Sequence, residues 1–442
     1  MNEVKVQISE EIPATFGIIF DGWSCNGEHY IALFATWTNI SGGVVHRLLA
    51  CGVQDTPTDD LSAQDFGFSA DDIGDYLYDT LEQYKRDFEA IEFLCGDNAS
   101  VNSALANKIE HWVMEKKGIR RCIPLIGCAS HRLNIAVQSL YCEGTIYFST
   151  VEKVHTLMVA LGTLKNRVKL AAKTNLSPIK QNETRWGSVF QMLKRYLELH
   201  PILPTCSFDK VTKDKFLTTR EHYLVNELVE ILYKCERTSV FLQKQDAHVV
   251  NLHSVRVAFD KLIVEIPDLE SYIGLKARIV QSPAFEEAIV KLQKGQTLNT
   301  AEKKLVSIFK VVPKESDAEE TEKLSFEDEL LRDVERSKSL GTATEYRPTY
   351  HVSPTSNIVE RLFSITGIIM RPHRRQMDPW SLELLIMLRA NKDMWSYGTL
   401  QKIIDARKKE NRDAAIARSN ASAASKRQRE DDQELAPSDG EV

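Results

Sequence analysis

Two apolar runs near the N-terminus constrain the fold most strongly, because together they have the pattern of a β-hairpin. Residues 16–20 and 30–37 are rich in residues that favour strands, and Asn26 and Gly27 lie in the turn between them. A carboxylate, Asp21, directly follows the first run. Its burial is unfavourable unless a partner compensates the charge, and a divalent cation is a usual partner. For this stretch alone, an Asp that caps the turn is the simpler interpretation.

A second carboxylate repeats this arrangement. Residues 91–94 form a short strand-like run that is apolar except for Glu92, and Asp97 follows it after Cys95 and Gly96. Open α/β sheets bind their ligands beyond the carboxyl ends of the strands. The repetition therefore favours a common site for Asp21 and Asp97.

The order of the expected elements predicts the fold class. The expected elements are strands at 15–20, 30–37 and 43–53, a helix at 69–88, a strand at 91–94, a helix at 97–116, a strand at 122–126 and a helix at 129–140. Ser69 is the expected N-cap of the first helix, and Gly118 is the expected stop of the second. This order predicts an α/β fold in which helices cover a mixed sheet.

Helical patterns replace strand patterns after residue 150. They cover 151–174, 186–199, 223–243, 253–266, 274–294 and 301–309. Ser353 and Pro354 have the pattern of a helix start, and that helix is expected to end near residue 369. A last helix is expected at 379–395, with an apolar stripe formed by Trp380, Leu384, Met387, Leu388 and Met394.

These patterns divide the chain into four parts. The parts are an α/β core at 1–150, an α-helical region at 151–345, a C-terminal helical part at 346–400 and a charged tail at 401–442. We expect the tail to be disordered, and within the helical region we expect residues 314–336 to form a mobile acidic connector.

Charge is segregated along the chain, although the net charge is only −6. Residues 151–200 carry nine Lys and Arg against three Glu, a net +6, whereas residues 314–336 carry four basic and ten acidic residues, a net −6. No run of apolar residues is long enough for a membrane span, and no signal-peptide pattern begins the chain. The eight cysteines include no CxxC pair, which favours free thiols in a reducing compartment.

Five motifs carry a resemblance to a known family. They are FDGWS at 20–24, GDNASVN at 96–102, GCASHRLNIAV at 127–137, ETRWGS at 183–188, and SPTSNIVERLFSITG at 353–367 with a further pattern that ends at Trp395. In this order they resemble the hAT superfamily of cut-and-paste DNA transposases, including its zinc-finger-BED-type domesticated relatives. The resemblance extends from about residue 15 to residue 397.

The resemblance implies a fold and an assembly. The fold is a ribonuclease H-like mixed sheet, interrupted by an all-α insertion domain and completed by C-terminal helices that include the hAT dimerisation region. A homodimer or higher homo-oligomer is implied. No N-terminal BED zinc finger is expected, because the chain contains no Cys/His quartet of that kind.

The resemblance also implies a metal-dependent reaction on DNA. Asp21, Asp97 and Glu360 would hold Mg²⁺ or Mn²⁺, and two such ions about 3.5–4 Å apart can serve both ends of an in-line displacement at phosphorus. His131 would lie beside them and hydrogen-bond the scissile phosphate. The alternatives are an ordinary solvated helix residue for Glu360 and a helix-face residue for His131.

Other residues are candidates for zinc or DNA binding. Cys128 and His131 could form half of a zinc site, although their spacing from Cys122 and Cys142 fits no standard zinc pattern. By resemblance Trp186 would stack on an unpaired base and Arg185 would contact phosphate, whereas a buried core Trp is the alternative. The remaining DNA-binding candidates are the basic residues Lys165, Arg167, Lys169, Lys173 and Lys180.

The sequence therefore predicts a nuclear transposase that cleaves transposon-end DNA and transfers its strands, with DNA as partner and no membrane association. The alternative is a domesticated or truncated, non-catalytic protein that associates with DNA or dimerises.

Three structural expectations follow. The carboxyl groups of Asp21, Asp97 and Glu360 should lie within about 5–8 Å of one another. The basic segment should lie along one rim of the cleft, with Trp186 opening into that cleft and not facing the core. The helix before residue 369 should be buried along a stripe of Ile358, Leu362, Ile365 and Ile369.

Overall fold

The computed structural model describes residues 1–25, 27–53, 69–182, 186–311, 345–370, 377–402 and 404–409, together with Arg412 and Ile416. Its sheet contains five strands: β1 (Phe16–Cys25), β2 (Glu28–Thr38), β3 (Val44–Val53), β4 (Ile91–Gly96) and β5 (Leu125–Gly127). They lie in the order β3-β2-β1-β4-β5. β1 and β3 pair with β2 antiparallel, whereas β4 pairs parallel with both β1 and β5. The prediction of an α/β fold with a mixed sheet is confirmed.

The expected hairpin is present, but its first strand is longer than predicted. β1 pairs with β2 from Gly17 to Cys25, with Cys25 opposite Glu28, so Asp21 lies inside the strand and not at its end. Residues up to Phe20 are all buried, whereas exposure alternates from Asp21 onward. The alternation marks a half-solvated strand, which the continuous apolar run did not reveal.

Besides helical residues at 397–402 and 404–409, fifteen α-helices surround the sheet or continue from it in the described residues. They are α1 (Asn2–Glu11), α2 (Ala70–Gln83), α3 (Ser100–Lys117), α4 (Ala129–Ser139), α5 (Phe148–Leu161), α6 (Leu164–Ala171), α7 (Trp186–Leu199), α8 (Lys210–Lys213), α9 (Thr219–Leu242), α10 (Leu252–Glu265), α11 (Glu270–Ile273), α12 (Pro283–Gln293), α13 (Thr300–Leu305), α14 (Asn357–Ile369) and α15 (Pro379–Ala390). Short 3₁₀ helices occupy Phe88–Ala90, Leu203–Thr205, Pro267–Leu269, Ser307–Phe309 and Lys392–Met394. Within this part of the chain no helix is both long and apolar enough to cross a membrane.

Local capping signals locate several helix ends correctly. Ser69 accepts a hydrogen bond from the Asp72 N–H, and the Asp72 side chain accepts one from Ser69, as in a capping box. Gly118 ends α3 with a φ of 69°, a conformation that favours glycine. The sequence analysis did not predict α1, although its Val4 and Ile8 are buried in the core.

The helical region differs from its prediction at two places. The expected helix at 151–174 is divided into α5 and α6 by Gly162 and Thr163. The expected helix at 274–294 begins only at Pro283, because a proline is well accommodated in the first turn of a helix but not in its interior.

Buried apolar side chains form two clusters. The sheet cluster contains strand residues together with residues of α12, α14 and α15. The helical cluster contains α5, α7, α9 and α10, and also Leu133 and Val137 of α4. The packing therefore crosses the expected boundaries at 150 and 345, since α4 packs with the helices and α12 packs with the sheet.

A buried polar network anchors the segment before α14 to the sheet. The fully buried side chains of Glu92 and His351 lie 2.8 Å apart, and Arg347 also donates to Glu92. His351 Nδ1 lies 2.9 Å from Thr38 Oγ1. The network fixes the chain on the sheet shortly before α14 begins.

The predicted start and buried stripe of α14 are wrong. The helix begins at Asn357, with Ser356 as its N-cap, while the backbone carbonyl of Pro354 accepts a hydrogen bond from Ala129. Its fully buried face consists of Asn357, Val359, Leu362, Phe363 and Thr366. Of the predicted stripe only Leu362 is fully buried, because the helix packs on the sheet through Phe363, which stacks on Trp23.

The predicted stripe of the last helix is also wrong. α15 buries Leu382, Ile386 and Met387, whereas Trp380 is 62% exposed. The helix packs on β3, and the buried side chain of Asn391 beyond its end donates to the Leu48 carbonyl at 3.1 Å. The expected connector at 314–336 lies outside the described residues, as does most of the tail; residues 401–402 and 404–409 of the tail are helical.

Candidate metal-binding active site

Two neighbouring parallel strands bring Asp21 and Asp97 to one place. Ile19 of β1 pairs with Cys95 of β4, so Asp21 and Asp97 follow the paired positions by two residues each. Both residues line one cavity of about 250 Å³. The sheet thus creates the common site that the repeated sequence pattern predicts.

The start of α3 fixes the carboxylate of Asp97. Asp97 Oδ1 accepts hydrogen bonds from the Ala99 N–H at 3.0 Å and from Asn102 Nδ2 at 2.6 Å. Asn102 is almost completely buried, so it holds one orientation of the carboxylate. The sequence analysis quoted Asn102 within a motif but assigned it no role.

Helix α14 brings Glu360, from the far end of the chain, beside His131. Phe363 stacks on Trp23 of β1 with 5.6 Å between the ring centroids, and this contact docks the helix on the strand that carries Asp21. Glu360 lies in the first turn of α14, and its Oε1 atom is 3.7 Å from His131 Nε2.

The pKa of Asp21 depends on its burial and on the charged groups around it. Burial raises the pKa of Asp21 from 3.8 to about 6. The charge of His131 opposes this shift, the charges of Asp97 and Glu360 add to it, and a hydrogen bond from the Gly22 N–H opposes it. The three candidate carboxylates and His131 are therefore close enough to influence one another.

His131 is the cation beside these carboxylates. The pKa of His131 is raised from 6.5 to about 9, and the main cause is its interaction with Cys128. Burial opposes this rise, whereas the nearby charges of Asp21 and Glu360 add to it. Burial alone would raise the pKa of Cys128, but His131 lowers it below its usual range. These causes favour the charged form of His131 in the metal-free protein.

The donor chemistry of the acidic set fits Mg²⁺ or Mn²⁺. Asp21, Asp97 and Glu360 offer carboxylate oxygens, which hard divalent cations prefer. Burial is the main cause of the raised pKa of Asp21, the charges of Asp97 and Glu360 add to it, and a bound cation would favour the charged carboxylate. Cys128, by contrast, is not a ligand suited to Mg²⁺.

A larger cavity of about 460 Å³ adjoins this site. Its lining includes His131, Glu360, Arg361 and Trp186. Trp186 is only 6% exposed, belongs to the helical cluster and lies 6.3 Å from the ring of Phe190. The expectation that Trp186 does not face the core is therefore wrong, because it packs into the helical core and also reaches the cavity wall.

The basic candidates lie apart from that wall. Among the described residues, the lining of the cavity includes none of Lys165, Arg167, Lys169, Lys173 and Lys180. Lys169 is half-buried and the other four are exposed. Lys165 forms an ion pair of 3.0 Å with Asp209. Arg185 lies outside the described residues.

Arg361 and Asn357 are site residues that the sequence analysis did not single out. Arg361 lines the larger cavity one position after Glu360, and Asn357 Nδ2 donates to the Leu242 carbonyl at 2.9 Å. The second contact ties the start of α14 to the end of α9. Both residues lie within the quoted motif at 353–367, and this motif was the feature of the sequence that could have identified them.

The sequence matches no protein-family model and no curated protein. The resemblance to the hAT superfamily therefore rests on the quoted motifs.

Proposed function

We propose that this chain is a hAT-type transposase core that cleaves transposon-end DNA and transfers the freed strands in a metal-dependent reaction. The observation that carries the proposal is the joint effect of Asp97, Glu360 and His131 on the pKa of Asp21. This effect supports the proposal that these acidic side chains, which come from widely separated motifs, hold one metal site.

The arrangement of the sheet supports a ribonuclease H-like core. Three antiparallel strands are followed by two parallel ones, with Asp21 on the central strand and Asp97 after its parallel neighbour. The helices from α5 to α11 pack mainly in the separate helical cluster, and α14 then returns to the sheet. This supports an insertion in the chain between Asp97 and Glu360.

The residues of the site have distinct roles in the proposed reaction. Asp21, Asp97 and Glu360 would hold Mg²⁺ or Mn²⁺, which when bound activates the attacking oxygen and stabilises the leaving oxygen. His131, in its charged form, would donate a hydrogen bond to a phosphate oxygen. Asn102 keeps Asp97 in position. Trp186 would stack on an unpaired base through the part of its ring that reaches the cavity.

The proposal includes the partners and location of such an enzyme. DNA would bind through the basic segment that contains Lys169 and Lys173, since phosphate neutralisation supplies most non-specific affinity. The C-terminal part with α14 and α15 would contribute to a homodimer or higher homo-oligomer. The enzyme would act in the nucleus.

One observation favours a second candidate, a non-catalytic protein that associates with DNA or dimerises in the nucleus. Among the described residues, the larger cavity is lined by none of the basic candidates, and its charged side chains are Glu236, Glu360, Arg361 and His131. A cavity without an excess of positive charge does not concentrate a polyanion such as DNA.

A nicking experiment distinguishes the two candidates. Supercoiled plasmid DNA is incubated with the protein and Mg²⁺ or Mn²⁺, and nicked circles are measured for the wild type, Asp97→Asn and Asp214→Asn. Asp214 is exposed and is the C-cap of α8, outside the site, so its variant is the matched control.

We expect nicking by the wild type and the control, and none by Asp97→Asn, with DNA affinity similar in all three. DNA binding without nicking in either metal would favour the non-catalytic candidate.

A further inference from the structure

Three side chains with different donor atoms form a cluster between α4 and α14. Cys128, His131 and Glu360 each offer one ligand atom, and these three atoms all lie within 4.8 Å of one another. Cys128 is the N-cap of α4 and His131 lies in its first turn, so the two share one end of a helix. The sequence offered only the first two of these ligands; the fold supplies the third.

The donor set differs from that of the acidic site. A sulfur, an imidazole nitrogen and a carboxylate oxygen are the ligands that proteins use for Zn²⁺. Mg²⁺ prefers oxygen ligands and does not select a thiolate. Three protein ligands leave a fourth position for water, as in open zinc sites.

Ser356, the N-cap of α14, contacts two members of the cluster. The Ser356 N–H donates to Cys128 Sγ at 3.3 Å, and the Ser356 carbonyl accepts from the Glu360 N–H at 3.3 Å. The start of α14 therefore positions both Cys128 and Glu360. This arrangement is a preformed scaffold for two of the three ligands.

The distances are within reach of zinc coordination. Ligand bonds of roughly 2.0–2.3 Å place the atoms of a tetrahedral site roughly 3.3–3.8 Å apart, so a movement of about 1 Å suffices here. Cys128 is fully buried, whereas the side chains of His131 and Glu360 are 33% and 24% exposed. His131 and Glu360 also line the larger cavity, which provides a path for the ion.

We propose that Cys128, His131 and Glu360 form a binding site for Zn²⁺, distinct from the Mg²⁺ set but sharing Glu360 with it. A zinc ion at this site engages Glu360 and the ring of His131. Glu360 and His131 are then no longer available to the acidic site, so zinc inhibits the proposed reaction. The inhibition rests on the proposed function, whereas the binding of zinc does not.

Cobalt spectroscopy tests the binding without any need for catalysis. Co²⁺ is titrated into the metal-free full chain, and thiolate-to-cobalt charge transfer and tetrahedral ligand-field bands are recorded before Zn²⁺ is added in competition. The variants are Cys128→Ser and Glu360→Gln, with Cys142→Ser as the control for an exposed thiol. Circular dichroism establishes that each variant is folded.

We expect both bands for the wild type and for Cys142→Ser, and their displacement by one equivalent of Zn²⁺. Cys128→Ser should lose the charge-transfer band, and each site variant should lose more than about 100-fold in zinc affinity, since even outer partners of metal sites contribute roughly 10- to 100-fold. Absence of the charge-transfer band in the folded wild type, or its retention in Cys128→Ser, would overturn the proposal. If Cys128→Ser does not fold, Glu360→Gln decides through its zinc affinity.

Plasmid nicking separates this inference from the proposed function. If the protein binds zinc but never nicks DNA, the proposed zinc site stands and the transposase proposal fails. If Mg²⁺ supports nicking, stoichiometric Zn²⁺ leaves the nicking unchanged and no cobalt bands appear, the zinc site is overturned and the transposase proposal stands.

Discussion

His131 Nε2 lies 3.7 Å from Glu360 Oε1, so α4 meets the first turn of α14. Both His131 and Glu360 influence the pKa of Asp21, which His131 lowers and Glu360 raises. The site is thus assembled by tertiary packing between distant segments. Its properties should change when either the charges or the packing of α14 change.

The charge of Asp21 should destabilise the metal-free protein at neutral pH. Its folded pKa of about 6 exceeds the ordinary 3.8, so the folded state binds this proton more tightly than the unfolded chain does. The penalty is absent below pH 4, grows between pH 4 and 6, and is complete above pH 6. Asp21→Asn should therefore raise the free energy of unfolding at pH 7.5 by about 1–3 kcal/mol.

Urea unfolding at pH 7.5 and pH 4 in the presence of EDTA measures this effect. Asp21→Asn keeps an oxygen that can accept the 2.9 Å hydrogen bond from the Gly22 N–H, so the comparison isolates the charge. Asp214→Asn serves as the exposed control. An equal or larger gain at pH 4 would show that ionisation of Asp21 is not the cause.

Phe363 should be essential for docking α14 on the sheet. Its ring is buried and stacks on Trp23, and replacement of a buried Phe by Ala typically lowers the free energy of unfolding by about 3–5 kcal/mol. Ile368 on the same helix is 59% exposed, so Ile368→Ala is the matched control. Chemical denaturation should show the large loss for Phe363→Ala alone. Equal losses for the two variants would mean that α14 does not pack on β1 in solution.

The sequence predicted those features that depend on neighbouring residues. The order of strands and helices between residues 15 and 140, the N-cap at Ser69 and the glycine end of α3 were predicted correctly. Asp21 and Asp97 could be paired because β-strand patterns precede both.

Features that depend on long-range packing were not predictable in the same way. The buried face of α14 is set by the contact of Phe363 with Trp23, so apolar periodicity within the helix chose the wrong stripe. The placement of Cys128 beside Glu360 needs the docked helix, and their sequence spacing carries no such signal. Trp186 shows the same limit, because a motif cannot reveal that a ring is both buried in the helical cluster and part of a cavity wall.

The basic segment should determine the salt dependence of DNA binding. Lys169→Ala combined with Lys173→Ala should weaken binding to DNA of any sequence. It should also reduce the slope of log affinity against log salt by about 1 for each phosphate contact that is lost. Fluorescence anisotropy at several salt concentrations measures both quantities. Lys276→Ala, an exposed change outside the segment, is the control, and an unchanged slope in the double variant would assign DNA binding to another surface.

A crystal of the protein soaked in Mn²⁺ tests the central claim most directly. Anomalous scattering reports the position of the ion without reference to any DNA sequence. The account predicts a manganese peak coordinated by Asp21, Asp97 and Glu360, and its loss in Asp97→Asn crystals. No peak between these carboxylates, or a Glu360 side chain directed away from the other two, would contradict the account.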